Sequence, residues 1–201
     1  MSTGFQWVID NAGEISIDNQ LVTAQTVSRD GTIRTTSRGG STWTFTVKFA
    51  AGMVYTDLRQ GFGTVMAKGK HVADSFTLNS IFLGKYLGDS STLTGWTASS
   101  VSGNTVTVAG GDASSGFKLK AGDLIQLGST GHVYEVTADV AHGSSSVTVH
   151  RPIIETGFSG SINVGPNCSF KVICTALPNI KAFDYNLGTF DGVFQFAEDM
   201  T

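Results

Sequence analysis

Apolar and polar residues alternate in short runs along most of this chain, and one stretch changes to helical spacing. The cleanest alternation is Trp43-Thr-Phe-Thr-Val-Lys-Phe49, with Trp43, Phe45, Val47 and Phe49 on one face and Thr44, Thr46 and Lys48 on the other. Phe5-Gln-Trp-Val-Ile9 reads as an opening strand and Phe76 to Leu83 as another. Phe170 to Thr175 and Thr189 to Phe196 read as closing strands carrying large aromatics. Between Leu21 and Arg38, threonine-rich runs flank Asp30-Gly31, a dipeptide favoured in tight hairpin turns. The sides of this hairpin are only half apolar and carry Arg29, Arg34 and Arg38, so it reads as a long arm that needs a partner surface. The same pattern also fits an ordinary solvated hairpin.

After Phe49 the period changes. Val54, Leu58, Phe62 and Val65 mark one face of an amphipathic helix over Met53 to Ala67. Gly61 and Gly63 weaken it by about 1 kcal/mol each. From Gly88 to Pro166 the chain returns to short strand-like runs divided by glycine-rich turns: Asn104 to Val108, Leu124 to Leu127, Val133 to Thr137 and Ser146 to His150. These suffice for a small OB-like barrel. The flanks on either side are too small to fold alone, and the closing aromatic strands have no helix of their own to cover. The expectation is a mainly β protein: a β-sandwich or barrel host domain with one helix, formed by 1–87 and 167–201 and interrupted by an OB-like β-barrel domain over 88–166.

Composition supports this picture. Charged residues are 14% of the 201, below the ~25% of an ordinary domain, and 25 glycines supply many turns. A net charge of −3 argues against a protein built to grip nucleic acid. No run approaches the ~20 apolar residues of a membrane span, and the first residues lack signal-peptide character, so synthesis in the cytoplasm is expected. Cys168 and Cys174 share one strand, about 20 Å apart, beyond disulfide reach; buried free thiols are expected.

Chemistry is sparse. His71, His132, His142 and His150 have no ligand partner at zinc spacing. There is no Gly-x-Ser-x-Gly elbow, and Gly61 to Gly69 lacks the Gly-Lys-Ser/Thr ending of a phosphate loop. Asp10, Glu14 and Asp18 are spaced by four but lie outside any helical pattern, and Glu198-Asp199 is expected in solvent. No catalytic residue, metal or cofactor is expected, and no enzymatic activity.

The order of elements resembles the distal tail proteins of long-tailed bacteriophages, the type with an inserted OB-like domain. The resemblance rests on the aromatic strand Trp43 to Phe49, the helix and strand that follow, and the inserted Lys120-Ala-Gly-Asp-Leu-Ile-Gln-Leu127 with His132-Val-Tyr-Glu-Val136. The closing Phe190-Asp-Gly-Val-Phe-Gln-Phe196 completes it, so that nearly the whole chain is covered. It implies a homohexameric ring in the virion, at the tail tip, that joins the tail tube protein to the tail hub or tip protein. DNA passes through the channel, and no membrane insertion is implied. Within that reading Trp7, Arg29, Arg34 and Arg38 are the candidate subunit contacts. A tail tube or tail completion protein is an alternative. A second alternative gives the inserted barrel a carbohydrate-binding face for envelope glycans, with Trp96, His132 and Tyr134 stacking on sugar and Phe117, Lys118 and Lys120 nearby. Against it stands the plain reading that Phe117 and Tyr134 fill the barrel.

Overall fold

The computed structural model describes residues 4–49, 52–69, 72–78, 84–88, 96–109, 117–129, 131–182 and 186–201. The fold is mainly β with one main helix and a curled half-barrel sheet. That sheet has five strands, β1 (Ala12–Val27), β2 (Ile33–Phe49), β4 (Asp74–Thr77), β13 (Ser169–Ala176) and β16 (Phe194–Glu198), in the order β1-β2-β16-β13-β4. All its neighbours are antiparallel. Strands from the end of the chain therefore sit between strands from its beginning. β3 (Met53–Val54) joins β15 (Leu187–Asp191) and β14 (Asn179–Ala182) in a second, three-stranded sheet.

The alternation from Trp43 to Phe49 acts as expected. Phe45 and Val47 are buried against Phe170, Phe196 and Phe194, while Lys48 is exposed. The inward face is mostly aromatic, and its rings meet edge-on or tilted at about 5 Å, as in Phe45–Phe76 and Phe49–Phe190. Helix α2 (Tyr55–Lys68) closes this core with Leu58 and Val65 fully buried and Phe62 packed beside them. Val54, counted on that apolar face, instead belongs to β3 and is 43% exposed. No helix among the described residues is long and apolar enough to cross a membrane.

Three elements differ from their sequence patterns. Phe5–Asp10 is a helix, α1, with Phe5, Trp7, Val8 and Ile9 buried. Its residues favour strands individually, but Gly4 at φ 63° turns the chain in, and burial on both sides removes the need for alternation. The second side of the hairpin arm and the Trp43 strand are one continuous β2. The closing aromatic run is two strands in different sheets, broken at Asp191-Gly192 with Gly192 at φ 104°. Of the Phe76 to Leu83 strand, β4 covers the start and 79–83 lie outside the described residues.

Residues 96–164 build a second hydrophobic cluster. β5 (Thr97–Ser102), β6 (Thr105–Ala109), β8 (Leu124–Leu127), β9 (Val133–Glu135), β11 (Ser146–Thr148) and β12 (Gly160–Val164) form a sheet in the order β11-β6-β5-β12-β8-β9. A bridge between Val136 and Val149 then links the β9 end back to the β11 end, so the pairing runs in a circuit. Two short strands, β7 (Phe117–Leu119) and β10 (Val140–Ala141), pair beside it. All four residues of β8 are buried, including Gln126. Its amide is satisfied by the Gly131 and Ser169 carbonyls and the Ser169 N–H, which ties the circuit to β13.

Candidate functional site

Three features stand out from the packed body: a projecting ribbon, a polar sheet face, and a charged seam between the two clusters.

The ribbon consists of the outer parts of β1 and β2. Among the described residues, β2 pairs with β16 only between Thr44 and Val47, and β1 pairs with β2 alone. Outward of Ser41 the two strands, among the described residues, pair only with each other, ending in register at Val27–Ile33. From Ser41 to Ile33 the reach is about 25 Å. A register shift lies between Leu21 and Thr23, opposite Ser37 to Ser41, where the chain carries Gly39-Gly40. The Ser28 to Thr32 tip is held by Ser28–Thr32 and Gly31–Ser28 backbone bonds, with Gly31 at φ 82°. Asp30 accepts from the Ser28 hydroxyl and the Thr32 N–H, and these bonds lower its pKa. Just behind the tip, Val27 and Ile33 are 70% and 64% exposed, an apolar pair that this fold does not cover.

The outward face of the five-stranded sheet is polar. Thr44, Thr46, Thr175 and Gln195, with Phe45, Phe196 and Ala197, line a shallow depression of about 270 Å³. Charges of both signs lie here: Glu14 stands opposite Lys48 in the register, Asp18 opposite Thr44, and Lys171 lies 2.9 Å from Asp199.

The seam is built on Arg151. Its guanidinium donates twice to Glu198, at 2.5 and 2.6 Å, and also to the Ser41 and Val133 carbonyls. The Tyr134 ring lies 5.0 Å from its Cζ. Trp43 completes the seam: its backbone N–H donates to Glu198 and its indole N–H to Val133. Both charged side chains are buried, so Glu198, expected in solvent, is instead an internal residue; the buried guanidinium compensates its charge. His150 packs on Trp43 and takes the Glu135 N–H on Nδ1. Burial, and then the neighbouring Arg151 charge, lower its pKa to about 4.

The candidate sugar-binding residues do not form a stacking surface. Trp96 is 3% exposed inside the second cluster, with the Lys118 ammonium 4.9 Å over its ring. Lys118 is itself buried and offers no open cation. Tyr134 is fully buried, as the barrel-filling reading has it. The Phe117 side chain lies outside the described residues. His132 and Tyr134 do come together, through Glu155: His132 Nδ1 lies 2.9 Å and the Tyr134 hydroxyl 2.5 Å from its carboxylate. Burial pulls the Glu155 pKa upward, but bonds from His132 and Tyr134 outweigh it and hold the group at about 2. Burial and that carboxylate push the Tyr134 hydroxyl up. This arrangement pins the 131–134 and 150–155 segments together.

Of the candidate subunit contacts, Trp7 is overturned. It is 2% exposed in α1, packed on Phe49 and Phe190, and a β-carbon built at Gly61 would fall inside its indole. Arg29 is exposed at the ribbon tip. The backbones of Arg34 and Arg38 belong to β2, and their side chains lie outside the described residues. The sequence pattern did not single out Arg151, Glu155 or Val27. For Glu155 a signal existed, because His132 and Tyr134, two residues apart, share one side of a strand. Cys168 and Cys174 are buried free thiols on the core face, and burial raises the pKa of Cys168.

No family model matches this chain, and no curated protein matches it in sequence.

Proposed function

We propose that this chain is a structural virion protein of the distal tail type, forming a hexameric ring that joins the tail tube of a long-tailed phage to its hub or tip protein. The ribbon is the observation that carries this reading. A two-stranded extension with an apolar end is marginal by itself and gains stability from a neighbouring surface. The polar face of the five-stranded sheet supports it: threonine and glutamine with charges of both signs suit a wall past which DNA must slide without being held. The circuit of strands over 96–164 corresponds to the OB-like insertion of that type. Its buried Trp96 and Tyr134 favour outward decoration over sugar stacking.

Electron microscopy of the purified protein, with native mass measurement, tests the proposal. Closed rings of six are expected. Long tubes would favour a tail tube protein, and a monomer that stays single beside tube and hub proteins would overturn the ring. Deleting Ser28 to Arg38 is expected to abolish ring formation while leaving the body folded.

A further inference from the structure

At the root of the ribbon lies a cleft of about 200 Å³, lined by Ile17, Trp43, Gly122, Leu124, Glu135 and Phe170. Its apolar walls, Ile17, Trp43, Leu124 and Phe170, all belong to or pack against the first cluster, and Glu135 sets one carboxylate at the side. Leu87, 50% exposed, extends the apolar surface, because its Cδ1 would lie 3.9 Å from a β-carbon at Gly122. The cleft has room for a pair of branched aliphatic side chains.

The ribbon tip carries a matching set. Val27 and Ile33 stand side by side in register and exposed, with Arg29 next to them. Neither Arg29 nor Glu135 takes an ion pair among the described residues. The tip cannot fold back into its own cleft, because the paired ribbon holds it about 25 Å from its root. A second copy can supply it. The body of a 201-residue chain is about 40 Å across, so the tip reaches well onto the face of an adjacent copy.

We infer that the ribbon tip of one copy docks in the root cleft of the next, with Val27 and Ile33 entering the apolar floor and Arg29 pairing with Glu135. The inference rests on the ring reading and names the contact that would build it. Tip and cleft are different surfaces, so the contact is heterologous, and repeating it generates a ring when the rotation closes. The apolar pair supplies affinity, and the single charge pair fixes which way the tip enters.

Charge exchange tests it, with self-association followed by analytical ultracentrifugation and folding by circular dichroism. Val27→Ser, Ile33→Ser and Arg29→Glu each weaken association by about tenfold. Adding Glu135→Arg to Arg29→Glu restores it. A second measurement covers poor folding of the charge variant: a chain carrying Arg29→Cys and Glu135→Cys gives a ladder of disulfide-linked oligomers on oxidation, while each single variant does not. Rings that form regardless of the tip substitutions and give no ladder overturn the docking while leaving the ring intact. A protein that stays monomeric beside tube and hub proteins, with no ladder, overturns both.

Discussion

Arg151 and Glu198 meet as a doubly hydrogen-bonded pair at the seam between the two hydrophobic clusters, each side chain no more than 3% exposed. The same guanidinium holds the Ser41 carbonyl at the ribbon root and the Val133 carbonyl in β9. One side chain thus ties together the ribbon, the closing strand and the second cluster.

Removing it alone leaves a buried carboxylate uncompensated. Arg151→Ala is expected to cost about 3–5 kcal/mol in urea unfolding followed by tryptophan fluorescence. Replacing both partners, as Arg151→Met with Glu198→Leu, is expected to recover most of that loss. Equal losses in the single and double variants would show that the pair carries more than its own charges.

Gly61 is required by Trp7. Alanine normally favours a helix over glycine by about 1 kcal/mol. Here the added methyl meets the indole, and Gly61→Ala is expected to destabilise by about 1–3 kcal/mol. Pairing it with Trp7→Leu, which empties that space, is expected to lessen the penalty of the alanine. An increase in stability from Gly61→Ala alone would contradict the contact.

Stability is expected to fall in two adjoining pH windows. His150 titrates at about 4 when folded and near 6.5 otherwise, so the unfolded chain binds more protons between them. Stability is therefore lost as pH falls from 6.5 towards 4. Glu155 is at about 2 when folded against 4.5, and its contribution is lost as pH falls from 4.5 towards 2. His150→Gln should flatten the upper window, and Tyr134→Phe should narrow the lower one. Urea midpoints across pH provide the check; an unchanged upper slope in His150→Gln would assign it elsewhere.

Trp96 is a core residue on this geometry. Trp96→Ala is expected to cost about 3–5 kcal/mol. A glycan array read with the intact protein is expected to show no binding through this residue. Binding lost in a Trp96 variant of unchanged stability would reinstate a sugar face.

Where polarity followed strand or helix period, the architecture was legible. Trp43 to Phe49 declared both its faces, Leu58 and Val65 located α2, and Asp30-Gly31 marked the turn of the ribbon. The legible part stops where burial is two-sided or where a charge is buried by a distant partner. Phe5 to Ile9 carries no period because it is enclosed on nearly every side, so strand and helix look alike there. Thr97 to Ser102 offers too few apolar residues to announce β5. Glu198 lies near the chain end beside an acidic residue, and only the fold brings Arg151 to it. The candidate site was half visible: Arg29 could be named, whereas Val27 and Ile33 read as ordinary strand residues, because nothing in the sequence shows that pairing with β16 stops at Thr44.

The unbroken course of β2 gives the ribbon a mechanical character. A pull on its tip enters the body along one strand, into a ladder with β16 that lies parallel to the load. Those hydrogen bonds are stressed in shear and must yield together, instead of opening in turn like a zip. Arg151 braces Ser41 where the strand emerges, and Gly39-Gly40 lies immediately beyond. The ribbon therefore has a braced root, with the register shift between Leu21 and Thr23 just outside it, and a load on its tip is carried along β2 into the core ladder.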